Sequence, residues 1–184
     1  MYKPIVCSIA AVGPNDVIGC DGQMPWYSRQ DFYHFRNTTT PYPCIFGRKT
    51  FEGMPKKPLP NRLNIVCSST YKNEYKDGVF YADSVESAIN NCADAGRLFI
   101  CGGGAIYKYA IEKDLIDVMF LTKIKSESLA KQIIQNPKAY AYFPINTQMF
   151  FDGAKWQMKK INYIYLTPET NDITTEFFKF TRIR

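Results

Sequence analysis

The segment Ile5 to Val12 reads IVCSIAAV, apolar at nearly every position. A strand with one wet face would alternate apolar and polar residues. A near-continuous apolar run is what a strand buried on both faces requires, and such strands belong to parallel sheets covered by helices. That run therefore demands further strands on each side of it and helices over each face. The remaining sequence supplies them. Cys44 to Phe46, Leu63 to Cys67, Val79 to Tyr81, Leu98 to Cys101 and Val118 to Ile124 read as short strands. Between them lie helical patterns over Pro25 to Asn37, with Ser28 as N-cap, and over Ala105 to Glu112. A third helix comes after Val79 to Tyr81, with Asp83 as N-cap, Glu86 three residues on as a capping box, and Gly96 as its stop. Lys160 to Leu166 and Thr174 to Thr181 flank a turn-rich stretch and predict an antiparallel hairpin. The expected fold class is α/β: a central, mostly parallel twisted sheet of about eight strands, helices on both faces and a C-terminal antiparallel hairpin.

Composition fits one domain over residues 1–184. The chain has 184 residues, 46% apolar, and no apolar stretch long enough to span a membrane. The N-terminal run reads as a buried strand rather than a secretory signal. The net charge of +6 is scattered, with its densest pairs at Lys56-Lys57 and Lys159-Lys160. Scattered charge suits solvated surface or attraction of small anions, and argues against nucleic acid. Six cysteines occur without a CxxC pair, and the single histidine, His34, has no cysteine cluster beside it. Zinc is therefore not expected. Cys7, Cys44, Cys67 and Cys101 lie in strand-like runs and read as buried residues of a reducing, cytoplasmic compartment. His34 reads as a surface residue without a role.

In open α/β sheets ligands bind beyond the carboxyl ends of strands. Four segments there carry candidate chemistry. Gly102-Gly103-Gly104 joins a strand to a helix and reads either as a tight turn or as an anion cradle. Gly47-Arg48-Lys49-Thr50, helped by Ser68-Ser69-Thr70, reads as a second phosphate site or as solvated helix-start residues. Two such sites would suit a dinucleotide. Asp31 shares a helix with Phe32 and Phe35, and is either an exposed acid or a carboxylate that grips a flat cationic ligand on an aromatic face. Asn15 to Trp26 is a long glycine-punctuated segment, either a surface loop or a lid.

Taken in order, these motifs resemble dihydrofolate reductase. The resemblance is carried by Ile9-Ala10-Ala11, Val17-Ile18-Gly19, Met24-Pro25-Trp26, Asp31 and Phe35. It continues through Gly47 to Glu52, Pro58-Leu59-Pro60-Asn61-Arg62 with Asn64, Ser68-Ser69, Gly102 to Tyr107 and Leu121-Thr122. It is firm over about residues 5 to 124 and looser through Phe143-Pro144 and the final hairpin. The resemblance implies NADPH-dependent reduction of 7,8-dihydrofolate to tetrahydrofolate, serving one-carbon metabolism and thymidylate synthesis. It further implies that Asp31 holds the pterin, supported by Thr122, with Tyr107 close by and Met24 and Trp26 in the lid. Substrate contacts would come from the Ile9 and Cys101 carbonyls, Ala11, Phe32, Phe35, Met54, Leu59 and Arg62. Cofactor contacts would come from Ala11, Ile18, Gly19, Arg48, Lys49, Thr50, Ser68, Ser69, Thr70, Gly103, Gly104, Ala105, Ile106 and Tyr107. Antifolate inhibitors would share the folate site, and residues about 43–95 would form an adenosine-binding subdomain. A monomer is the expectation.

Three positions depart from the family pattern. Tyr140 stands where an Asp is common before the Phe-Pro, which removes a lid-to-loop hydrogen bond. Ala105 stands where Arg is frequent, which removes a phosphate contact. Residues 125–142 read as an insertion with a short helix near Leu129 to Gln135. Competing readings are a riboflavin-pathway reductase of the same fold, a non-catalytic structural relative and a plain nucleotide-binding module. The first does not need Met-Pro-Trp followed by Asp31, and the last does not need Asp31 with Arg62.

Overall fold

Residues 5–12 form the strand that their composition predicts, and it lies parallel between two others. The computed structural model describes residues 3–71, 73–162 and 172–183. Its elements are β1 (Ile5–Val12), β2 (Val17–Cys20), α1 (Arg29–Thr39), β3 (Cys44–Gly47), α2 (Arg48–Gly53), β4 (Asn64–Cys67), β5 (Glu74–Lys76) and β6 (Val79–Ala82). They continue with α3 (Val85–Asn90), β7 (Arg97–Ile100), α4 (Gly104–Glu112), β8 (Val118–Lys125), α5 (Glu127–Gln135), β9 (Tyr140–Tyr142), β10 (Trp156–Ile161) and β11 (Thr174–Arg182).

One nine-stranded sheet runs in the order β10-β11-β8-β1-β7-β3-β4-β6-β5. Its six central strands are parallel, with Cys7 of β1 opposite Phe99 on one side and Val118 on the other. Both margins turn antiparallel: β11 against β8 and β10 at one edge, β5 against β6 at the other. The β5 edge escapes the sequence reading because Glu74, Tyr75 and Lys76 are all exposed and carry no apolar alternation. In the terminal hairpin, β10 starts at Trp156, four residues before the expected strand; residues 163–166 lie outside the described residues.

Alternation along the strands divides the core between the two faces. Val6, Ala10, Ile45, Ile65, Leu98, Ile100, Met119 and Leu121 pack with Ala88 and Ile89 of α3 and Ala110 of α4. Their sequence neighbours Cys7, Ile9, Cys44, Phe46, Val66, Phe99 and Phe120 pack on the other face with Phe51 of α2 and Phe35 of α1. Every cysteine in the chain is a free thiol; Cys20 and Cys67 are only half-buried. Burial pushes the thiols of Cys7 and Cys67 up to about 12.

Capping differs from expectation at α3. Ser84, not Asp83, is the N-cap, accepting from the Ser87 N–H at 3.1 Å. Asp83 instead accepts from Ser84 Oγ and from Asn73 Nδ2. Helix α3 closes at Asn90, well before Gly96. Residues 125–142 form α5 and β9. Ser126 caps α5, and Asp172 accepts from the Ser128 N–H at 2.8 Å and from Ser126 Oγ at 3.0 Å. Among the described residues no helix is long and apolar enough to cross a membrane.

Two measurements check this packing. Phe150 is 2% exposed against Trp156 and Phe180, so Phe150→Ala should lower unfolding free energy by about 3–5 kcal/mol in urea. On β11, Glu176 accepts from Lys125 at 2.5 Å and Lys160 at 2.6 Å, and these two lysines hold its carboxyl below the usual value. A depressed carboxyl stabilises the fold above the unfolded value of about 4.3 and loses that contribution as pH falls through the folded value. Glu176→Gln should therefore cost about 0.5–1 kcal/mol at pH 7, and the difference in urea midpoint should shrink as the carboxyl becomes protonated in acid.

Candidate active site

The parallel strands end together, and the candidate residues collect beyond those ends. Asp31 lies in the first turn of α1, 8% exposed, its N–H held by the Ser28 hydroxyl at 3.0 Å. Ser28 is the N-cap, as its position predicts. Phe35, one turn on, packs into the core beside Met54 and Leu59. Phe32 does not share that face: it is 42% exposed, with its ring 5.4 Å from that of Tyr27. A step of one residue turns about 100° around a helix, which carries Phe32 outward. His34, expected at the surface, is 2% exposed between the rings of Phe120 and Phe177. Burial lowers its imidazole to about 4, so the ring is neutral near pH 7.

Tyr107 links α4 to β1. Its hydroxyl donates to the Ile9 carbonyl at 2.6 Å, which engages one acceptor site of the oxygen assigned to the pterin edge. Burial first, then the Cys101 thiol and the Asp31 carboxylate, push the Tyr107 hydroxyl well above its usual value, so Asp31, Cys101 and Tyr107 occupy one neighbourhood. Thr122 does not support Asp31 through a hydrogen bond. Its Oγ1 is buried and makes none, because β8 places Thr122 between Ala11 of β1 and Phe177 of β11. Trp26 Nε1 is likewise buried without a partner. Each of these two side chains keeps a polar atom that the protein itself does not satisfy.

Arg62 is half-buried and already aimed. Its Nη1 donates to Thr39 Oγ1 at 2.7 Å and its Nε to the Pro60 carbonyl at 3.1 Å, with the guanidinium 6.0 Å from the Phe35 ring centroid. Three N–H groups remain for a carboxylate.

Glycines shape the anion end. A Cβ on Gly103 would meet Thr50 Oγ1 at 2.6 Å, and one on Gly47 would meet Ile106 at 3.1 Å. Gly102 has φ +96°, and its missing Cβ would strike the Tyr107 ring. Helix α4 begins at Gly104 with no side-chain cap, leaving its first N–H groups to an anion. Nearby, Arg48 Nη1 reaches Thr70 Oγ1 at 3.4 Å, while Lys49 and Ser69 are exposed. Ser68 is turned inward, 7% exposed, and its hydroxyl accepts from the Thr70 N–H, so it serves the turn rather than an open phosphate site.

The segment 15–26 is ordered by backbone pairing. β2 pairs antiparallel with β9, and Cys20 and Gln23 exchange two backbone hydrogen bonds at the tip. Ile18 lies 3.7 Å and the Tyr142 carbonyl 3.8 Å from where a Gly104 Cβ would stand. Trp26 is buried with Val17, Ile124, Leu129 and Ile133, whereas Met24 is 39% exposed. The expected loss of a lid-to-loop bond at Tyr140 is made good elsewhere. Asp16 accepts from the Thr147 N–H at 2.8 Å and from its hydroxyl at 2.5 Å. No local signal marks that pair, which is 131 residues apart.

A parallel sheet with a glycine cradle, an uncapped helix start and a buried acid defines a nucleotide-dependent α/β oxidoreductase. The family model for dihydrofolate reductase matches residues 5–182. A dihydrofolate reductase of Candida albicans is 40% identical over 139 residues, 70% of this chain and 72% of that protein. One from Haemophilus influenzae is 43% identical over 120 residues, 65% of this chain and 71% of that protein. Among solved structures, the dihydrofolate reductase of Enterococcus faecalis complexed with NADP(H) and RAB-propyl superposes with a TM-score of 0.72 at 25% identity, covering 98% of each chain. The chain belongs to the dihydrofolate reductase family, and its activity is the NADPH-dependent reduction of dihydrofolate. The riboflavin-pathway alternative is not favoured.

One substitution isolates the glycine corner. Gly102→Ala should cost about 2 kcal/mol or more in urea, as expected from a left-handed φ plus a ring clash.

Proposed function

We propose that Asp31 is the group that holds and polarises the pterin during this reaction. Its placement carries the reading: a carboxylate 8% exposed, at the strand ends, in one neighbourhood with Tyr107 and Cys101. NADPH, when bound, supplies the hydride that dihydrofolate receives at C6. Asp31 accepts hydrogen bonds from the ring N3 and 2-amino group, and Thr122 Oγ1 offers a further polar contact at that edge. From the far edge of the ring Asp31 does not reach N5, so its work is orientation and polarisation, and the proton at N5 comes from water admitted beside Met24. Lid residues Ile18, Gly19, Met24 and Trp26 exclude other water. Phe35, Met54 and Leu59 line the benzoyl portion, Phe32 stands at its exposed rim beside Tyr27, and Arg62 pairs with the glutamate α-carboxylate.

For the cofactor, Gly103, Gly104, Ala105 and Ile106 hold the pyrophosphate, and Arg48, Lys49, Thr50, Ser69 and Thr70 hold the adenosine side. The side-chain-free cradle at Gly103 and the uncapped α4 support the pyrophosphate assignment. Residues about 43–95 serve as the adenosine-binding part, and free thiols suit a reducing cytoplasm. Antifolates bind where the pterin does.

Cofactor oxidation followed with NADPH and dihydrofolate tests this directly. Asp31→Asn should reduce kcat by about a hundredfold or more, while the Kd for NADPH stays within about twofold. Arg62→Leu should instead raise KM for dihydrofolate by about tenfold with little change in kcat. An Asp31→Asn protein that turns over normally, or loses NADPH, contradicts the assignment.

A further inference from the structure

Asp31 sits on a helix face that is fastened to the C-terminal strand at two points. Ser28, Asp31 and His34 recur at intervals of three, so they line one side of the start of α1. On one side of Asp31, Ser28 Oγ stands 3.2 Å from Thr175 Oγ1, the same oxygen that holds the Asp31 N–H. On the other, the His34 ring lies 4.7 Å from that of Phe177. Thr175 and Phe177 are two apart on β11 and therefore share a face, about 7 Å apart. Ser28 to His34 covers about 9 Å of helix. The spacings correspond, so the first turns of α1 lie along β11 with Asp31 between the fasteners. In turn, β11 pairs with β8 so that Phe177 is directly opposite Thr122.

We propose that Thr175 and His34 are positioning residues for Asp31: β11 fixes where the carboxylate stands relative to β8, although neither residue belongs to the nucleotide or folate motifs. The inference rests on the reading of Asp31 as the pterin-holding group. Both fasteners are buried on the α1 side, Ser28 at 1% and His34 at 2% exposure, so water does not replace a lost contact easily. Loss of the hydroxyl pair frees the helix start to shift, and a small misplacement of a positioned group slows a chemical step far more than it weakens binding.

The test uses the full chain with NADPH and dihydrofolate. Thr175→Val removes the hydroxyl at nearly constant shape, and Thr175→Ser keeps it. Thr175→Val should slow single-turnover hydride transfer by about tenfold, with KM for dihydrofolate moving less than about threefold and the Kd for NADPH less than about twofold. Thr175→Ser should restore the rate. Thr175→Ala removes the same hydroxyl without touching the Ser28 cap and is read in the same way if Thr175→Val does not fold. A native rate in Thr175→Val, or a loss that Thr175→Ser does not restore, overturns the proposal. Asp31→Asn, measured alongside, separates the two levels. Inactive Asp31→Asn beside a native-like Thr175→Val defeats only the role of β11, whereas active Asp31→Asn defeats the reading of Asp31 beneath it.

Discussion

Burial of β1 on both faces is the constraint on which the rest of the molecule depends. An eight-residue strand without a charge has to be covered above and below, and here it is flanked by β7 and β8 in parallel register. Parallel pairing forces crossovers, and helices supply them. It also brings the carboxyl ends of β1, β3, β7 and β8 to one margin of the sheet. Ile9, Gly47, Cys101 and Thr122 arrive at that margin through strand register alone, before any of them is used for chemistry. The hydrogen bond from Tyr107 to the Ile9 carbonyl then ties the glycine corner to the central strand.

Local signals in the chain made much of this readable. Double-sided burial showed in IVCSIAAV, the cap of α1 in Ser28, and the anion cradle in three successive glycines. The hidden features depend on contacts distant in sequence. His34 is buried because Phe177 and Phe120, on strands formed much later in the chain, close over it. Asp16 anchors the segment before β2 through Thr147, and nothing near either residue marks the pairing. At α3 the choice between Asp83 and Ser84 was local but fell to Asn73, which engages Asp83 from across a turn. Strand β5 lacks the periodicity that reveals strands, since pairing at an exposed edge needs only backbone.

One cation and one turn are held in place before any ligand arrives. Arg62 is held by Thr39 and the Pro60 carbonyl, so its free N–H groups are directed before a ligand arrives. Asn15 and Asp16 have positive φ of 57° and 60°, at a cost of about 1 kcal/mol each, and the two hydrogen bonds that the Asp16 carboxylate accepts from Thr147 offset that strain ahead of β2. The positive charges at Lys159 and Lys160 lie elsewhere, on the β10 edge, where Lys160 serves Glu176.

Placement of the ligands where the parallel strands end is the central claim. A cavity of about 370 Å³ lined by Lys3, Ile5, Asp117 and Arg182 marks the opposite end of β1 and provides the contrast. Backbone amide chemical shifts of the labelled protein, titrated with NADP+ and then folate, discriminate between the two ends. Perturbations clustered at Gly102 to Tyr107, Arg48 to Thr50 and the start of α1 are predicted; perturbations confined to Lys3 to Ile5, Asp117 and Arg182 would contradict that placement.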